Sequence, residues 1–359
     1  MPLMIAVRFH GPKDIRVDQI EQPVCDKGQI KLRNTHCGIC GSDLHEYTSG
    51  PVLIPKGPHN ITHAQAPVIM GHEFGGIVEE VGEGVTHLVP GQKAVVRPTI
   101  FDRKCPPCKL GYEYCCENIG FVGLSGYGGG FAEYICAPAE HFYPIPDNVS
   151  PELIALIEPL AVAWHAVNLS PYKDGMQGDN VLIVGGGPLG LCILQVLQMH
   201  GAKQTMVAEL VDSRKQNAKD FGATHVLDPR DTDIPEKVHE LTNGIGADVV
   251  FDTAGVEKAL DGAIGAVRVH GTIVNVAVWE KRPHIRVNEL MYQEVKYLGA
   301  ALYDEKSFRS VIEAVSKGLL KPEPMITDTI GLDDIVEKGF ETLLTHRDTH
   351  CKILVDPQA

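Results

Sequence analysis

The sequence has 359 residues, of which 44% are hydrophobic and 22% are charged, and its formal net charge is −14 at pH 7. This length accommodates two domains of ordinary size, each with a hydrophobic core of its own. The negative charge argues against nucleic acid and against an anionic membrane surface as partners, and no run of about 18 apolar residues is present that could span a membrane.

The N-terminus and the cysteines predict a cytoplasmic protein. The apolar run in MPLMIAVRFHG is too short for a secretory signal, and Arg8 and His10 follow it directly. The ten cysteines are therefore expected in a reducing compartment, where thiols bind metals or pack in cores rather than form disulfides.

The first part of the chain, about 150 residues, predicts an all-β domain. Its short runs of Val and Ile are separated by Gly and Pro, as in GGIVEEVG, QKAVVRP, FAEYICAP and FYPIP. The pattern changes at Pro151, where PELIALIEPLAVAWHAVNL predicts one long helix. Ser150 is the expected N-cap of this helix, and Pro151 suits its first position because proline lacks the N–H that would be unpaired there.

Strands and helices then alternate along the chain. NVLIVGG, QTMVAEL, HVLD, ADVVFDTAG and GTIVNVAV predict strands, while PLGLCILQVLQMHG and SRKQNAKDFGA predict helices. Alternation at this spacing indicates βαβ units and a parallel sheet. Helices follow after about residue 300, and the last β-like run, KILVDP, is expected to pair with the N-terminal domain.

The predicted fold class is α/β, organised in three parts. Residues 1–155 are expected to form a β-rich domain, 156–300 a doubly wound parallel-sheet domain, and 301–359 a segment that returns to the first domain. No internal repeat or low-complexity tract interrupts this organisation.

A glycine-rich loop between the first predicted strand and helix of the second domain indicates a dinucleotide site. Its G-x-G-x-x-G motif contains Gly185, Gly187, Pro188, Leu189 and Gly190. The glycines allow a tight turn, close approach of the backbone to a pyrophosphate and close helix–strand packing, and the helix N-terminus offers free N–H groups to the phosphates. A glycine-rich turn without a ligand is the alternative, which the surrounding strand and helix disfavour.

Glu209 ends the next predicted strand, where a ribose-binding carboxylate is expected. A carboxylate there accepts hydrogen bonds from the ribose hydroxyls and repels a 2′-phosphate, so NAD is favoured over NADP. Arg214, five positions later, could instead hold the adenosine or tolerate a phosphate.

Possible metal ligands are scattered over the first half of the chain. Cys37 and Cys40 form a close pair, but no second pair lies nearby to complete a structural zinc site. His72 and Glu73 follow in GHEFGG, and Glu158 lies inside an apolar helical segment, where an unpaired carboxylate is costly. Each has an ordinary explanation as a core or capping residue. Beside a dinucleotide fold, one Cys, one His and one carboxylate predict an open catalytic zinc site.

Five motifs carry a resemblance to a known family, over essentially the whole chain. CGICGSDLHEY, MGHEFGGIVEEVGEGV, GGGFAEY, EPLAVAWHA and VLIVGGGPLGL resemble the zinc-dependent medium-chain alcohol and polyol dehydrogenases. The stretch GSDLHEYTSGPVLIP, followed by a His-containing loop and APVIMGHEF, resembles the (R,R)-2,3-butanediol dehydrogenases, or acetoin reductases, within that family. The resemblance implies a GroES-like catalytic domain followed by a Rossmann cofactor domain.

The resemblance also implies a set of catalytic zinc ligands. The family's ligands fall on Cys40, His72 and Glu158, and the neighbouring acid that can approach the metal falls on Glu73. Three protein ligands leave the fourth position of a zinc ion to water or substrate.

Three further residues match the family's proton relay and its support. Ser42 and His45 match the relay that removes the alcohol proton and passes it, through the cofactor ribose, to solvent. Asp43 matches an acid that fixes the orientation of a metal ligand.

A second group of cysteines lies in DRKCPPCKLGYEYCC. Cys105, Cys108 and Cys116 match the last three positions of the family's structural zinc lobe, but the first position is Asp102. An aspartate ligates zinc through oxygen, a harder donor than a thiolate. Three interpretations remain open: a site of three thiolates and Asp102, a site in which Cys115 substitutes, or a lobe without metal.

The sequence and the resemblance together predict an NAD-linked, zinc-dependent oxidoreductase. We expect one catalytic and one structural zinc ion per chain, a small secondary alcohol or vicinal diol such as 2,3-butanediol as substrate, and a homodimer or homotetramer. A sorbitol- or xylitol-type polyol dehydrogenase is the alternative enzyme. A zinc-free quinone reductase-like protein or a nucleotide-binding protein without catalysis is the alternative of another class, and DNA binding through the cysteine lobe is disfavoured by charge.

Overall fold

The computed structural model describes residues 2–174, 180–279, 281–346 and 348–359. The chain forms two units: unit 1 contains Met1–Glu158, Phe308–Gly318 and Pro322–Ala359, and unit 2 contains Pro159–Ser307 and Leu319–Lys321. None of the helices in the described part of the chain is long and apolar enough to cross a membrane.

Strands and helices are labelled in chain order. The strands are β1 (Leu3–Gly11), β2 (Asp14–Glu21), β3 (Gln29–Gly38), β4 (Val68–Ile69), β5 (Glu73–Val81), β6 (Lys93–Val96), β7 (Thr99–Ile100), β8 (Gly120–Phe121), β9 (Tyr134–Pro138), β10 (Phe142–Ile145), β11 (Asn180–Val184), β12 (Gln204–Ala208), β13 (His225–Leu227), β14 (Ala247–Asp252), β15 (Val267–Asn275), β16 (Lys296–Gly299), β17 (Ile326–Gly331) and β18 (Lys352–Asp356). The α-helices are α1 (Gly41–Ser49), α2 (Pro106–Lys109), α3 (Pro151–Ile154), α4 (Ile157–Leu169), α5 (Pro188–Met199), α6 (Asp212–Asp220), α7 (Ile234–Leu241), α8 (Glu257–Ala266), α9 (Val287–Tyr292), α10 (Glu305–Ser316) and α11 (Thr342–Thr345).

Unit 1 is built on a sheet with the strand order β10-β6-β5-β3-β18-β17, to which β9 adds by pairing with β3. Strand β3 alternates buried and half-buried residues over much of its length, as expected for a strand with one face on a core. It pairs antiparallel with β5 and places Gly38 opposite Glu73. The C-terminal strand β18 pairs antiparallel with β3 through Leu354 and Val355.

Helix α1 departs from the all-β expectation for the first part of the chain. It begins after Cys40, whose extended backbone (φ −98°, ψ 157°) ends β3 and starts the helix. Asp43 accepts a hydrogen bond from the Cys40 N–H at 3.0 Å, so the first turn is stabilised by a capping interaction rather than by an apolar face. Because α1 consists mostly of polar residues, it shows little hydrophobic periodicity, and the sequence pattern does not predict a helix there.

The long helix expected from Pro151 is divided into α3 and α4. Ser150 is the N-cap of α3 and Pro151 is its first residue, as predicted. Pro159 explains the interruption, because a proline ring collides with the carbonyl four residues earlier, here that of Ala155, in a continuous helix. The break thus leaves Glu158 in the first turn of α4.

Unit 2 contains a sheet in which every pairing is parallel, with the order β13-β12-β11-β14-β15-β16. Numbered from its first strand, this is the 3-2-1-4-5-6 order of a Rossmann fold. The strands and helices predicted from the alternating pattern are confirmed, and so is the α/β class with a β-rich unit and a doubly wound one. The core of the unit packs apolar residues of the sheet against α7 and α8, including Leu182, Met206, Val250, Leu260 and Ile264.

Candidate active site

The junction of β3 and α1 places Cys40 at the start of a helix. The backbone of Cys40 therefore lies at the positive end of the helix dipole. Cys40 is half-buried, whereas Asp43 of the first helical turn is fully buried. The local fold thus supplies one accessible sulfur ligand with a buried carboxylate behind it.

His72 and Glu73 reach the same corner from β5. Because β5 pairs with β3, its first residue Glu73 lies opposite Gly38, two positions before Cys40. One donor atom each from Cys40, His72 and Glu73 lies within 4.8 Å of the others. Donors bound to one tetrahedral zinc at about 2.0–2.3 Å are about 3.3–3.8 Å apart, so this set of sulfur, nitrogen and oxygen fits a zinc ion after a small contraction.

His72 lies between two residues of α1. Its Nε2 is 3.1 Å from the Ser42 hydroxyl oxygen, and its Nδ1 is 3.4 Å from Asp43 Oδ1. Burial lowers the pKa of His72, but the charge of Asp43, its contact with the ring and the neighbouring Cys40 sulfur outweigh that effect and raise the pKa well above its ordinary value. Within the described residues, neither His72 Nδ1 nor Asp43 Oδ1 has a hydrogen-bond partner at normal distance. A cation on the ring's other nitrogen would draw these two atoms together.

Glu73 is held by a lysine that the sequence did not single out. Lys352, on β18, donates from Nζ to Glu73 Oε2 at 2.6 Å and to the Ile39 carbonyl at 3.1 Å. The two side chains are 3% and 1% exposed, so this is a buried ion pair. Gly38 is required beside it, because a Cβ at that position would overlap Glu73 Oε2. The only sequence signal was a lysine at the start of the apolar run KILVDP.

His45 and Glu158 are placed differently from the three clustered donors. His45 is half-buried and lies three residues after Ser42 on α1, hence about one turn along the same helix. Glu158 is buried, with 6% of its surface exposed. Among the described residues, the close set contains Glu73 as its carboxylate and does not contain Glu158.

The lobe at residues 102–116 brings a second set of donors together. Donor atoms of Asp102, Cys105, Cys108 and Cys116 all lie within 4.8 Å of one another. The Cys105 and Cys116 sulfurs are 3.7 Å apart, which matches the spacing of about 3.8 Å for two thiolates on one tetrahedral zinc and far exceeds a disulfide bond. Cys115 is exposed and lies outside the set.

Protonation in this lobe also suits a cation. Backbone N–H groups of Cys105 and Lys104 hold the pKa of the Asp102 carboxyl well below its usual range. Burial raises the pKa of the Cys108 thiol, and the neighbouring sulfurs of Cys105 and Cys116 raise it further. Because crowded sulfurs resist sharing negative charge, a bound metal ion is the group that would let all three ionise.

The glycine-rich loop of unit 2 has the geometry that its motif predicts. Gly185 has φ +104°, a left-handed conformation that glycine adopts readily. A Cβ on Gly190 would collide with the Gly185 carbonyl, so the helix approaches the strand closely there. Gly187 is the N-cap of α5, with Pro188 as the first helical residue, and the half-buried Leu189 follows.

Glu209 and Arg214 both lie beside this loop. Glu209 Oε2 accepts the Gly186 N–H at 2.7 Å, and Oε1 accepts the N–H groups of Leu210 and Val211 at 2.7 and 2.8 Å. The carboxylate is therefore fixed at the end of β12 and next to the glycine loop. Arg214 Nη1 is 3.7 Å from the position of a Cβ on Gly187, and its buried Nε has no hydrogen-bond partner in the described residues.

Comparison with known proteins gives the family. Residues 26–147 match the alcohol dehydrogenase GroES-like domain, and residues 188–317 match the zinc-binding dehydrogenase domain. The chain is 40% identical to (R,R)-butanediol dehydrogenase of Bacillus subtilis, covering 99% of this chain and 100% of that protein, and 38% identical to that of Neisseria gonorrhoeae, covering 99% of each. The crystal structure of 2R,3R-butanediol dehydrogenase from Bacillus subtilis superposes with a TM-score of 0.92 over 99% of both chains, at 39% identity. The resemblance seen in the motifs is thereby confirmed, and the chain belongs to the zinc-binding alcohol dehydrogenase family of oxidoreductases.

Proposed function

We propose that this protein catalyses the reversible NAD-linked oxidation of a small secondary alcohol, with (R,R)-2,3-butanediol and acetoin as its substrate pair. The observation that carries the proposal is the set of Cys40, His72 and Glu73 donors at the β3–β5 corner. Similarity to two (R,R)-butanediol dehydrogenases over nearly the full chain supports the choice of substrate.

The metal would be held by Cys40 and His72 together with a carboxylate from Glu73 or Glu158. When bound, zinc acts as a Lewis acid that makes an alcohol hydroxyl more acidic and polarises a ketone, and NAD exchanges hydride with the carbon. Asp43 faces Nδ1 of His72, which leaves Nε2 as the nitrogen for the metal. A buried acid behind a histidine ligand fixes the ring and strengthens its basicity.

Ser42 and His45 would move the proton. The Ser42 hydroxyl lies beside His72, 3.1 Å from its Nε2, and therefore next to any substrate oxygen at the open position. Ser42 would accept the alcohol proton, and the half-buried His45, one helical turn later, would be the last group of the relay before solvent. Both groups lie on one rigid helix, which favours a fixed transfer distance.

NAD is the proposed cofactor, bound at the Gly185–Gly190 loop. Glu209 supplies a fixed negative charge at the end of β12, which disfavours a 2′-phosphate, and Arg214 is the group that would oppose this preference. Turnover with NAD is expected to exceed turnover with NADP by a wide margin in kcat/KM. Similar values for the two cofactors would mean that Arg214 dominates.

A second zinc is proposed for Asp102, Cys105, Cys108 and Cys116. Four protein donors, which leave no open position on a tetrahedral zinc ion, are typical of a structural site. Freshly purified protein is expected to contain two zinc ions per chain by elemental analysis. One zinc per chain, with Cys105 and Cys108 reacting freely with a thiol reagent, would contradict the proposal.

We also propose a homodimer or homotetramer in the cytoplasm. Strand β16 ends the parallel sheet, and an unpaired sheet edge is a ready surface for a second copy. Val287, Met291 and Tyr292 of the preceding helix are 64%, 57% and 80% exposed. Sedimentation of the purified chain measures the state directly. The cytoplasmic location is supported by the ten cysteines, none of which is paired in a disulfide.

The deciding experiment is NAD reduction against resolved stereoisomers of 2,3-butanediol, with sorbitol and xylitol alongside. We expect the highest kcat/KM for the (R,R)-diol. After zinc removal we expect no NAD reduction with any of these substrates. Preference for sorbitol or xylitol would favour the polyol dehydrogenase alternative. Full activity on a quinone without metal would favour the zinc-free alternative.

A further inference from the structure

The carboxylate of Asp102 is bound on both oxygens by hydrogen-bond donors. Oδ1 accepts the backbone N–H groups of Lys104 at 2.7 Å and Cys105 at 2.9 Å, while Oδ2 accepts one N–H from the Asn118 side chain at 2.7 Å. A carboxylate oxygen offers about two lone-pair positions. Oδ1 is therefore filled, and Oδ2 keeps one position free for a metal.

Asn118 contacts two of the four donors in the lobe. Besides its side-chain bond to Asp102, its backbone N–H points to the Cys116 sulfur at 3.3 Å. Hydrogen bonds to thiolate and carboxylate ligands fix their direction and are weakened when the ligand moves. Asn118 thus contacts both an oxygen donor, Asp102, and a sulfur donor, Cys116, and can orient the two together.

The other end of the Asn118 side chain holds a separate loop. Its Oδ1 accepts an N–H from the Asn60 side chain at 2.6 Å. Asn60 belongs to a turn, here called the 59–64 loop, that is closed by the His59 N–H to the Ala64 carbonyl and the His63 N–H to the His59 carbonyl, both at 2.9 Å. The loop precedes the segment that carries His72.

Two more contacts join the 59–64 loop to the segment that follows the lobe, at residues on either side of β8. The buried His59 places Nε2 at 3.4 Å from the Ile119 carbonyl, next to Asn118. Thr62 donates its hydroxyl hydrogen to the Ser125 carbonyl. The loop and the lobe therefore share one hydrogen-bonded seam, with Asn118 as the residue that reaches both the loop and Asp102.

We propose that Asn118 is a positioning residue that aims Asp102 Oδ2 at the metal of the lobe and couples the occupied lobe to the 59–64 loop. The proposal rests on the lobe zinc proposed above. It also accounts for an aspartate where the family's lobe has a cysteine: the amide compensates for a more weakly held oxygen ligand by fixing its orientation.

The first test measures zinc release from the fully loaded protein under excess chelator, read by the rate at which Cys105 and Cys108 become alkylated. Asn118→Ala is expected to speed this release about tenfold or more, the usual effect of losing a hydrogen bond to a metal ligand. Asn60→Ala, the matched comparison, leaves the Asn118–Asp102 contact intact and removes only the contact with the loop, so it is expected to speed release by clearly less than Asn118→Ala. Asn118→Ser serves as a second variant if Asn118→Ala does not fold.

A double-mutant cycle separates positioning from general loosening. In Asp102→Cys there is no carboxylate for the amide to aim, so adding Asn118→Ala is expected to change the release rate by less than about twofold. An equal acceleration in both backgrounds would overturn the proposal, because Asn118 would then act on the lobe as a whole.

Hydrogen exchange at the His63 amide tests the coupling to the loop. Removing the lobe zinc is expected to speed exchange in the unmodified protein and to have a clearly smaller effect in Asn60→Ala, in which only the contacts of His59 and Thr62 still join the loop to the lobe. An exchange rate at His63 that is the same with and without the lobe zinc would overturn the coupling. A lobe that binds no zinc would overturn the whole proposal. Neither readout uses turnover, so failure to oxidise a diol would refute the proposed activity and leave this inference standing.

Discussion

The two donor clusters of unit 1 hold their carboxylates by opposite means. At the β3–β5 corner, Glu73 is paired with the buried ammonium of Lys352, whereas in the lobe Asp102 is held by neutral N–H groups. An ammonium carries a full positive charge that repels an incoming zinc ion, whereas the neutral N–H groups repel it less and leave one position on Asp102 Oδ2 free. The corner thus has a carboxylate that can exchange partners, and the lobe has one that is fixed. This difference matches an open site for chemistry and a closed site for structure.

The strongest way to break the comparison is to remove the sulfur of the corner. Cys40→Ala is expected to abolish measurable turnover and to leave one zinc per chain, because the lobe donors are untouched. Elemental analysis and the diol assay measure both effects. Cys115→Ala is the matched control, since its exposed side chain belongs to neither cluster, and it is expected to keep two zinc ions and full activity. Loss of both metals in Cys40→Ala would show that the clusters are not independent.

Replacing the ammonium tests how Glu73 is stabilised. Lys352→Met leaves a buried carboxylate without its cation and is expected to lower the free energy of unfolding of the metal-free protein by about 3–5 kcal/mol. Denaturant titration measures the change. The double variant Glu73→Gln with Lys352→Met removes both charges and is expected to recover a large part of the loss. No recovery would mean that Lys352 acts mainly through its other contacts, including the Ile39 carbonyl.

A substitution at Ser42 tests whether the β3–β5 corner is the site of catalysis. Ser42→Ala is expected to retain zinc and NAD binding while lowering kcat by roughly 100-fold, the usual size of an acid–base contribution. Metal content and cofactor titration serve as controls. Unchanged kcat at neutral pH would remove Ser42 from the proton relay and leave its contact with His72 as a structural one.

The smallest expected effect concerns the oxygen ligand of the lobe. Asp102→Cys is expected to slow zinc release under chelator, because a thiolate binds this ion more firmly than a carboxylate, and Asp102→Ala is expected to speed it. Loss of this zinc is expected to loosen residues 102–116 and to lower thermal stability before the corner loses its metal. Equal release rates in the two variants would show that position 102 does not contact the metal.

Sequence patterns predicted unit 2 better than unit 1, for physical reasons. The central strands β11, β12 and β14 of the parallel sheet are buried over nearly their whole length, so apolar runs such as NVLIV are visible without knowledge of their neighbours. Helix α1 is polar and stabilised by the Cys40–Asp43 cap, and β17 is mostly exposed, so neither has a strong pattern. The interruption between α3 and α4 was readable from Pro159, whose steric effect outweighs the helical pattern around it.

The spacing of residues along the sequence did not predict most contacts of the candidate site. The proximity of Cys40 to His72 depends on the register of β3 against β5, which no local pattern specifies, and came instead from family resemblance. Lys352 is 279 positions from Glu73 and on a strand that reads as ordinary core. The Cys105, Cys108 and Cys116 cluster was visible because its donors are neighbours in sequence. Long-range pairing therefore separates what the sequence alone revealed from what it did not.

The pairing of β18 with β3 dictates an order of events during translation. Ile39 and Lys352, which this pairing brings into contact, are 313 positions apart. A ribosome adding about 5–20 residues per second needs roughly 15–60 s to supply that stretch. In this interval every strand of the parallel sheet is synthesised, while the edge of β3 that β18 covers waits for its partner. Cys40 and His72 therefore leave the ribosome well before the lysine that neutralises the carboxylate beside them.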